Sequence, residues 1–328
     1  MTNLLKNQII IDGLEYCNWN RELLENLWKG GITAVHVTLV YWENTEESFK
    51  KIFEIEKLIE NNQDIVCHAK TTEDILNAKQ DKKVAFIFGF QNSAPIVNNI
   101  FLLEKFFNKG LRFMQLTYNN QTPLAGGCFE PKDSGVSRFG KEVIEEMNRL
   151  GMIIDLSHAG KISCLDAIEF SSKPVAISHA NPSFFHKSLR NIDNDVLKKL
   201  VNKNGFIGLS LYPYHLKNLG NCKIDEFCQM IKELINLIGS DNIGIGSDLC
   251  LNWPDEVGMW MRNGNWTKKT DYGESQDKNI KWPRQPEWYK KPSDINNLFI
   301  AMCENGINEK NATKIMGMNW FNFMKIHF

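Results

Sequence analysis

The sequence has no segment suited to crossing a membrane or directing export. Nowhere in its 328 residues do 18 apolar residues run together, and a membrane-spanning helix needs about 20. The opening residues MTNLLKNQIIIDG lack the positively charged start, the long apolar stretch and the small-residue cleavage site of a secretory signal. We therefore expect a cytoplasmic protein that makes no membrane contact.

An excess of charge of either sign is also absent. The chain has 38 lysine and arginine residues against 39 aspartate and glutamate residues, and it contains no basic run. A protein that collects phosphates or anionic lipid through its electric field needs such an excess. We therefore expect no nucleic-acid partner.

The eight cysteines include no pair with CxxC spacing. Such pairs are typical of zinc sites with thiolate ligands, whereas disulfide frameworks are typical of short secreted chains. Neither pattern fits a scattered set in a chain of this length. We expect reduced thiols that are mostly buried.

What the sequence does contain is a series of short apolar, β-branched runs separated by stretches of helical character. Fully apolar strands that are each followed by a helix are typical of a parallel sheet covered on its outer face. Eight such units within about 250 residues favour a closed (β/α)8 barrel, a TIM-type fold, over an open doubly wound sheet. No GxGxxG dinucleotide motif follows the first run, and we expect one barrel domain over residues 1–328. The predicted strands are residues 8–14, 34–40, 84–90, 112–118, 152–157, 174–180, 206–212 and 242–248.

A long segment rich in tryptophan, residues 250–292, follows the eighth predicted strand and shows little helical periodicity. A long aromatic loop is either a lid over the barrel mouth or a subunit interface. The sequence leaves both options open, and with them a homodimer. The tryptophans of the segment are Trp253, Trp260, Trp266, Trp282 and Trp288.

Polar side chains stand where several predicted strands end, and in such a barrel the active site gathers at the carboxyl ends of the strands. One histidine at a strand end usually makes a structural hydrogen bond, but two on adjacent strands favour a shared metal ion. The sequence therefore predicts a site in the barrel mouth. Its candidate residues are His158 and His179 at the ends of strands five and six, Asp248 after strand eight, Gln91 after strand three and Tyr118 after strand four.

The other histidines give a weaker signal. His36 lies in the middle of a predicted strand, which favours a core role or a role in supporting the site. His186 and His215 are interpreted as loop or surface residues.

Five segments of the chain, in sequence order, resemble the membrane dipeptidase family of zinc barrels, also called the renal dipeptidase or M19 family. They are RFMQLTYNN, GVSRFGKEVIEEMNRLGMIIDLSHAG, ISHANP, SLRNIDNDVL and GIGSDL. The resemblance covers nearly the whole chain, and residues 139–158 are its most specific part. Within the family the chain resembles a bacterial subgroup that shares MQLTYNNQ and GIGSDLC.

This resemblance implies roles for several residues. In the family, a glutamate after strand three bridges two zinc ions, an HxD pair on strand one binds the first ion, and the histidines that end strands five and six bind the second. By resemblance, His158 and His179 are metal ligands. Arg190 would grip the substrate carboxylate, and Asp248 would be the catalytic aspartate.

The chain departs from the family where the first zinc ion would be bound. Leu14 and Tyr16 replace the HxD pair, Gln91 replaces the bridging glutamate, and Tyr118 replaces the oxyanion-binding histidine of strand four. Glu15 does not compensate, because alternate residues of a strand face opposite sides. The first zinc position is therefore expected to be lost.

At most one zinc ion per chain is expected, with none as the other option. The second position keeps His158 and His179 and would use the Gln91 carbonyl, with water completing a tetrahedron. Such a site would be open and mononuclear.

The predicted function is that of a dipeptidase-like metallohydrolase. One zinc ion can bring the pKa of a bound water to about 7. Asp248 would take or relay the proton, and Tyr118 would donate to the developing oxyanion. Arg190, whose planar fork matches a carboxylate, would orient the substrate. The expected substrate is a small carboxylate-bearing molecule with an amide or peptide bond, such as a dipeptide or an N-substituted amino acid, and an aromatic lid would favour methylated cations.

Two alternatives remain open. The same barrel can host a non-hydrolytic enzyme, because a fold does not determine a chemistry, or a small-molecule-binding protein that has lost catalysis. The missing ligands favour binding without catalysis. The joint presence of His158, His179, Arg190 and Asp248 favours an enzyme.

Overall fold

A computed structural model describes residues 7–264 and 281–328 of the protein, and within these ranges it contains ten strands and twelve α-helices. The strands are β1 (Ile11–Cys17), β2 (Ala34–Val40), β3 (Val66–His68), β4 (Val84–Phe90), β5 (Leu111–Gln115), β6 (Ile153–Asp155), β7 (Ala176–Ile177), β8 (Phe206–Leu209), β9 (Ile243–Ile245) and β10 (Leu249–Leu251). The helices are α1 (Arg21–Lys29), α2 (Thr45–Glu60), α3 (Thr72–Gln80), α4 (Phe101–Asn108), α5 (Arg138–Leu150), α6 (Lys161–Phe170), α7 (Asn194–Asn202), α8 (Ile224–Ile238), α9 (Asp255–Asn263), α10 (Ile295–Glu304), α11 (Glu309–Thr313) and α12 (Asn319–Met324).

Eight of the strands form a closed parallel barrel. Their order around the barrel is β1, β2, β4, β5, β6, β7, β8 and β9, and β9 pairs with β1 through Ile245 and Asp12. Every residue of these eight strands is buried, as expected where helices cover the outside of a parallel sheet. The predicted (β/α)8 barrel is confirmed. Each of its eight strands overlaps a predicted strand, although β1 begins and ends three residues later than the predicted 8–14.

Two short strands lie outside the predicted set. The three residues of β3 pair with β4, and the three residues of β10 pair with β1. A run of three residues is too short to stand out from its surroundings in the sequence. β10 follows Asp248, whose backbone lies in the left-handed region at φ 55° and separates this strand from β9.

Local sequence signals set the ends of the helices. At the start of α2, the Asn44 side chain accepts from the backbone N–H of Glu47, and the Glu47 carboxylate accepts from the backbone N–H of Asn44. This reciprocal pair satisfies two N–H groups that a helix start leaves open. α5 begins after Ser137 and ends at Gly151, whose φ of 84° favours glycine. In the described ranges, no helix is both long and apolar enough to span a bilayer.

The lower end of the barrel is filled by one side chain from α12. The Trp320 indole is fully buried, and its N–H donates to the carbonyl of Ile245 at 2.8 Å. A Cβ added at Gly13 would lie 2.5 Å from this ring, and one added at Gly244 would lie 2.6 Å from it. The glycines of β1 and β9 therefore make room for the indole, which closes the barrel interior away from the strand carboxyl ends.

Replacing Trp320 by alanine should lower the free energy of unfolding by about 3–5 kcal/mol, because a large buried ring is lost and a cavity remains. Chemical denaturation followed by circular dichroism measures this change. Trp28→Ala is the matched control, since Trp28 is 46 % exposed and should cost about 1 kcal/mol or less. Equal losses in the two variants would contradict a structural role for the Trp320 ring.

Candidate active site

Two histidines face each other in the barrel mouth. His158 and His179 follow β6 and β7, which are neighbours in the barrel, and both side chains are buried. Their Nε2 atoms lie 3.0 Å apart. Two nitrogens bound at 2.0–2.1 Å to one tetrahedral zinc ion would lie about 3.3 Å apart. The two imidazoles are therefore arranged to share one cation.

Hydrogen bonds to the opposite ring nitrogens orient both imidazoles. Nδ1 of His158 lies 2.6 Å from the amide oxygen of Asn119, and Nδ1 of His179 lies 2.7 Å from the hydroxyl of Ser178. An amide oxygen only accepts, so His158 carries its proton on Nδ1 and its lone pair on Nε2. Such outer contacts are typical of metal-binding histidines.

Both histidines are held in their neutral form. Burial lowers the pKa of His158 and of His179 well below the usual value, and the Arg190 guanidinium lowers both further. A neutral imidazole presents a lone pair, which is the form that binds a metal ion. Neither imidazole has to lose a proton before it binds a metal ion at neutral pH, so deprotonation adds no free-energy cost to binding.

Arg190 is buried beside the histidines and holds the ends of their strands. Its guanidinium donates to the carbonyl of Ser157 through Nη1 and to the carbonyl of His179 through Nη2 at 3.2 Å. Only 1 % of the residue is exposed. The structure thus brings Arg190 to the predicted site, in contact with the backbone of β6 and β7.

An aromatic cluster lines the mouth around the histidines. The Tyr118 ring stacks on His158 with centroids 4.3 Å apart, and the Tyr41 ring meets Tyr118 edge-on at 5.0 Å. Burial raises the pKa of Tyr41 well above its usual range, so its phenol stays protonated. We call these residues and their neighbours the aromatic cluster: Tyr16, Tyr41, Trp42, Tyr118 and Cys250, with Tyr212, Trp253, Val257, Trp260, Met261 and Trp282 packed against them.

Gln91 is buried next to Tyr41. Its amide N–H groups donate to the hydroxyls of Thr38 and Tyr41, both at 2.8 Å. Gln91 makes no hydrogen bond to either histidine in the described ranges. The structure therefore brings together His158 and His179, while the third predicted ligand binds two hydroxyl groups.

Asp248 stands at the rim where β9 ends. Its backbone N–H donates to the carbonyl of Leu14 at 2.9 Å, and the residue is 9 % exposed. Its carboxylate is among the groups that raise the pKa of Tyr41, after burial. Asp248 therefore lies in the same mouth as the aromatic cluster, as the sequence predicted.

Tyr16 stands where the resemblance implies a ligand of the first zinc ion, and other aromatic rings enclose its side chain. Tyr16 packs against Tyr41 and Trp253 at centroid distances of 4.7 and 4.8 Å. Burial raises the pKa of the Tyr16 phenol, so it remains a poor ligand. Throughout residues 7–264 and 281–328, no group of three or more His, Cys, Asp or Glu side chains could hold a metal ion.

The segment after β10 covers the aromatic cluster. The Trp42 indole donates to the carbonyl of Met261 on α9 at 3.0 Å, and the Trp253 indole donates to the carbonyl of Tyr16 at 3.2 Å. The expectation of little helical structure in 250–292 is wrong for α9, which starts after Pro254 and ends at Gly264 with φ 63°. Trp266 lies outside the described residues.

Tyr41 and His215 are among the residues of the site that the sequence did not predict. Tyr41 follows β2 by one position, but a tyrosine next to a tryptophan is usually interpreted as a residue that packs in the core. The interpretation of His215 as a loop or surface residue is wrong, since it is 1 % exposed and its Nδ1 lies 2.7 Å from the Ser210 hydroxyl. His36 is buried in the barrel with Nδ1 2.7 Å from the Gly13 carbonyl, which agrees with a core role.

Together these features define a closed TIM-type barrel with a candidate metal site in its mouth. Residues 17–256 match the sequence profile of the membrane dipeptidase family, peptidase family M19. The chain belongs to this family, which confirms the resemblance of its motifs.

Comparison with known proteins agrees with this assignment. The dipeptidase tcpJ of Claviceps purpurea is 26 % identical over 283 residues, which are 85 % of this chain and 60 % of that protein. The chain spans about a third to three fifths of the length of the curated relatives it matches. An amidohydrolase from Pseudomonas aeruginosa superimposes with a TM-score of 0.93 at 32 % identity, over 99 % of this chain and 98 % of that one.

A more distant structure shares the fold. A metallo peptidase from Rhodobacter sphaeroides, liganded with a phosphinate mimic of the dipeptide L-Ala-D-Ala, superimposes with a TM-score of 0.80 at 15 % identity, over 98 % of this chain and 100 % of that one. The barrel is therefore retained where most of the sequence differs.

Glu15 generates a prediction about pH, because it lies fully buried with Asp12 and Cys17. Its Oε1 accepts no hydrogen bond within the described part of the chain. Burial first, and then the Asp12 carboxyl, raise the pKa of Glu15 well above its usual 4.5. Ionisation of Glu15 therefore costs more free energy in the folded protein than in the unfolded chain. As pH rises above about 4.5, this difference lowers the free energy of unfolding.

Glu15→Gln should therefore gain stability relative to the unsubstituted protein as pH rises from about 4 to about 9. Thermal unfolding across this range measures the difference in Tm. Glu22→Gln, on the exposed face of α1, is the control and should show a flat difference. If the difference in Tm between Glu15→Gln and the unsubstituted protein did not change with pH, it would contradict a raised pKa for Glu15.

Proposed function

We propose that the protein hydrolyses an amide or peptide bond in a small carboxylate-bearing molecule, using at most one zinc ion held by His158 and His179. The observation that carries the proposal is the 3.0 Å approach of the two Nε2 atoms in the mouth of a barrel of the membrane dipeptidase family. Both rings are neutral, and both are oriented from the opposite nitrogen. These features fit one metal ion with open positions.

Zinc bound there would supply Lewis-acid chemistry, by which a carbonyl is polarised and water becomes a better nucleophile. Residues of the chain would transfer the proton, stabilise the developing negative charge and bind the substrate. Asp248 at the rim would accept or relay a proton. The Tyr118 phenol, which stacks on His158, would donate to the oxygen that becomes negative. Arg190, beside both histidines, would provide the positive charge for a substrate carboxylate.

The aromatic cluster supports a substrate with a substituted nitrogen as well as a dipeptide. Tyr16 stacks on Trp253, and Trp260 meets Tyr41 edge-on, so the mouth is rich in aromatic rings. Aromatic faces attract cations, above all methylated ones that lose little hydration. The proposed substrates are therefore dipeptides and N-substituted amino acids.

Hydrolysis is tested by incubating the zinc-loaded protein with a panel of dipeptides, N-acyl amino acids and N-methylated amino-acid amides. Release of free amino acid, lost in His179→Ala, is the expected result. A full panel without turnover would contradict the hydrolytic proposal.

A second candidate function is binding of the same small molecules without catalysis. It is favoured by Leu14, Tyr16 and Gln91, which replace three metal ligands of the family by groups that pack or donate hydrogen bonds. Calorimetric binding of a panel member without any product would support this candidate over hydrolysis.

The metal content gives a direct prediction. We expect at most one equivalent of divalent metal per chain after dialysis, and none in His179→Ala. Two dications about 3.5 Å apart repel by roughly 19 kcal/mol at an effective dielectric constant of 20, and Leu14, Tyr16 and Gln91 supply no carboxylate to offset this. Elemental analysis of protein purified without chelator or metal-binding tag measures the content.

The converse variant tests the same argument. Leu14→His, Tyr16→Asp and Gln91→Glu together restore the family ligands and should raise the metal content toward two equivalents. Two equivalents that survive dialysis in the unsubstituted protein would contradict the single-site proposal.

The aromatic cluster gives a further prediction. Trp260→Ala should raise the Kd for an N-methylated amino-acid derivative by roughly threefold to thirtyfold, the range of a cation–π contact. Isothermal calorimetry measures the Kd, with the unmethylated parent compound as the matched ligand and Trp28→Ala as the matched variant. An unchanged Kd would remove the methylated cation from the proposed substrates.

A further inference from the structure

One buried carboxylate lies directly beneath the two histidines. Asp155, the last residue of β6, is 1 % exposed. Its Oδ1 accepts from the backbone N–H of Ser157 at 3.1 Å, from the Ser157 hydroxyl at 2.6 Å and from the backbone N–H of Ser178 at 3.0 Å. Its Oδ2 accepts from the Ser178 hydroxyl at 2.6 Å and from the Gln115 amide at 3.0 Å. Five donors therefore converge on one side chain.

These contacts decide which way the Ser178 hydroxyl points. A hydroxyl has one proton to donate, and the 2.6 Å contact with the Asp155 carboxylate uses it. The oxygen of Ser178 can then only accept from Nδ1 of His179, which lies 2.7 Å away. His179 must carry its proton on Nδ1 and its lone pair on Nε2.

The same result holds for His158 through a different group. Its Nδ1 donates to the Asn119 amide oxygen, so its lone pair also lies on Nε2. The two lone pairs face each other across 3.0 Å. Two lone pairs at this distance repel, and a cation between them would remove the repulsion. Asp155 is the carboxylate that enforces one half of this arrangement.

We propose that Asp155 is a positioning residue that acts through the Ser178 hydroxyl to keep the His179 lone pair directed at the metal position. The inference rests on the metal site of the proposed function and concerns how that site is kept ready. Asp155 touches neither Nε2 atom. Its role is to determine which nitrogen of His179 carries the proton.

The isosteric change Asp155→Asn should reverse the hydrogen bonds in a defined direction. The backbone N–H groups of Ser157 and Ser178 cannot reorient, so the asparagine oxygen must take the Oδ1 position that accepts from them. The new NH2 group then occupies the Oδ2 position and donates to the Ser178 hydroxyl. The Gln115 amide, which donated to Oδ2, must turn its oxygen toward the new group, and that oxygen has no other partner in the described part of the chain. Ser178 in turn donates to Nδ1 of His179, whose proton moves to Nε2.

The first readout is the position of the proton on His179 in the metal-free protein. Nitrogen-15 shifts of labelled histidine distinguish a protonated from an unprotonated ring nitrogen, and loss of one signal set in His179→Asn assigns the residue among seven histidines. We expect Nδ1 of His179 to be protonated in the unsubstituted protein and unprotonated in Asp155→Asn. An identical proton position in both would overturn the proposal.

The second readout is the affinity for zinc, measured by competition with a chromophoric chelator. Asp155→Asn and the milder Ser178→Ala should each raise the Kd for zinc tenfold to hundredfold, the usual effect of losing an outer-shell partner. Ser157→Ala is the matched control. It removes a hydroxyl that bonds Asp155 equally closely, lies 3.2 Å from the Ser178 hydroxyl and accepts from the backbone N–H of His179 at 3.1 Å. The bond between the Ser178 hydroxyl and Nδ1 of His179 stays in place, so we expect a smaller loss of affinity than in Ser178→Ala.

The two readouts separate failure of this inference from failure of the metal site. Zinc bound with the same Kd by the unsubstituted protein and by both Asp155→Asn and Ser178→Ala would overturn the role of Asp155 and leave the metal site standing. Absence of zinc binding by the unsubstituted protein would overturn the proposed metal site, and the nitrogen shifts of His179 would then decide the role of Asp155. A large loss of affinity in Ser157→Ala would also count against the proposed path through Ser178.

Discussion

Closure of the barrel between β1 and β9 is the constraint on which the other features depend. Closure brings the carboxyl ends of eight strands into one ring, so residues far apart in the sequence meet without any dedicated connection. His158 and His179 are 21 positions apart, yet their nitrogens touch because β6 and β7 are neighbours. The same ring brings Tyr118, which follows β5, and Asp248, which follows β9, close to Tyr41 after β2. Polar residues at these strand ends therefore share one mouth.

The architecture could be read from the sequence because the barrel depends on repeated, local signals. Each of the eight barrel strands is buried on both faces, so each gives a mostly apolar run in the sequence. His158 and His179 could be identified for a related reason, since each follows such a run at once. Glu15 illustrates the same logic. Its place with Cys17 and away from Tyr16 agrees with the alternation expected of a strand, whereas its approach to Asp12 depends on an irregularity of β1 between Asp12 and Glu15.

Other features could not be predicted because they depend on contacts between distant segments. His215 sits on a short turn, and only its packing against Ser210 makes it buried. The helix α9 does have a helical period, since Val257, Trp260 and Met261 all pack against the aromatic cluster, but it spans only nine residues of a long segment that otherwise lacks one. The direction of the Ser178 hydroxyl depends on Asp155, a residue 23 positions earlier, and on no property of Ser178 itself.

The Trp320 indole also bears on the order in which the chain assembles. The ring contacts glycines of β1 and β9, and its N–H bonds to Ile245, so the earliest strand packs against one of the last helices made. Contacts of such long sequence separation form late, since loop closure must precede them. During synthesis the nascent barrel therefore exposes an open apolar interior until residue 320 has left the ribosome, and a chaperone that shields this opening would act mainly in that interval.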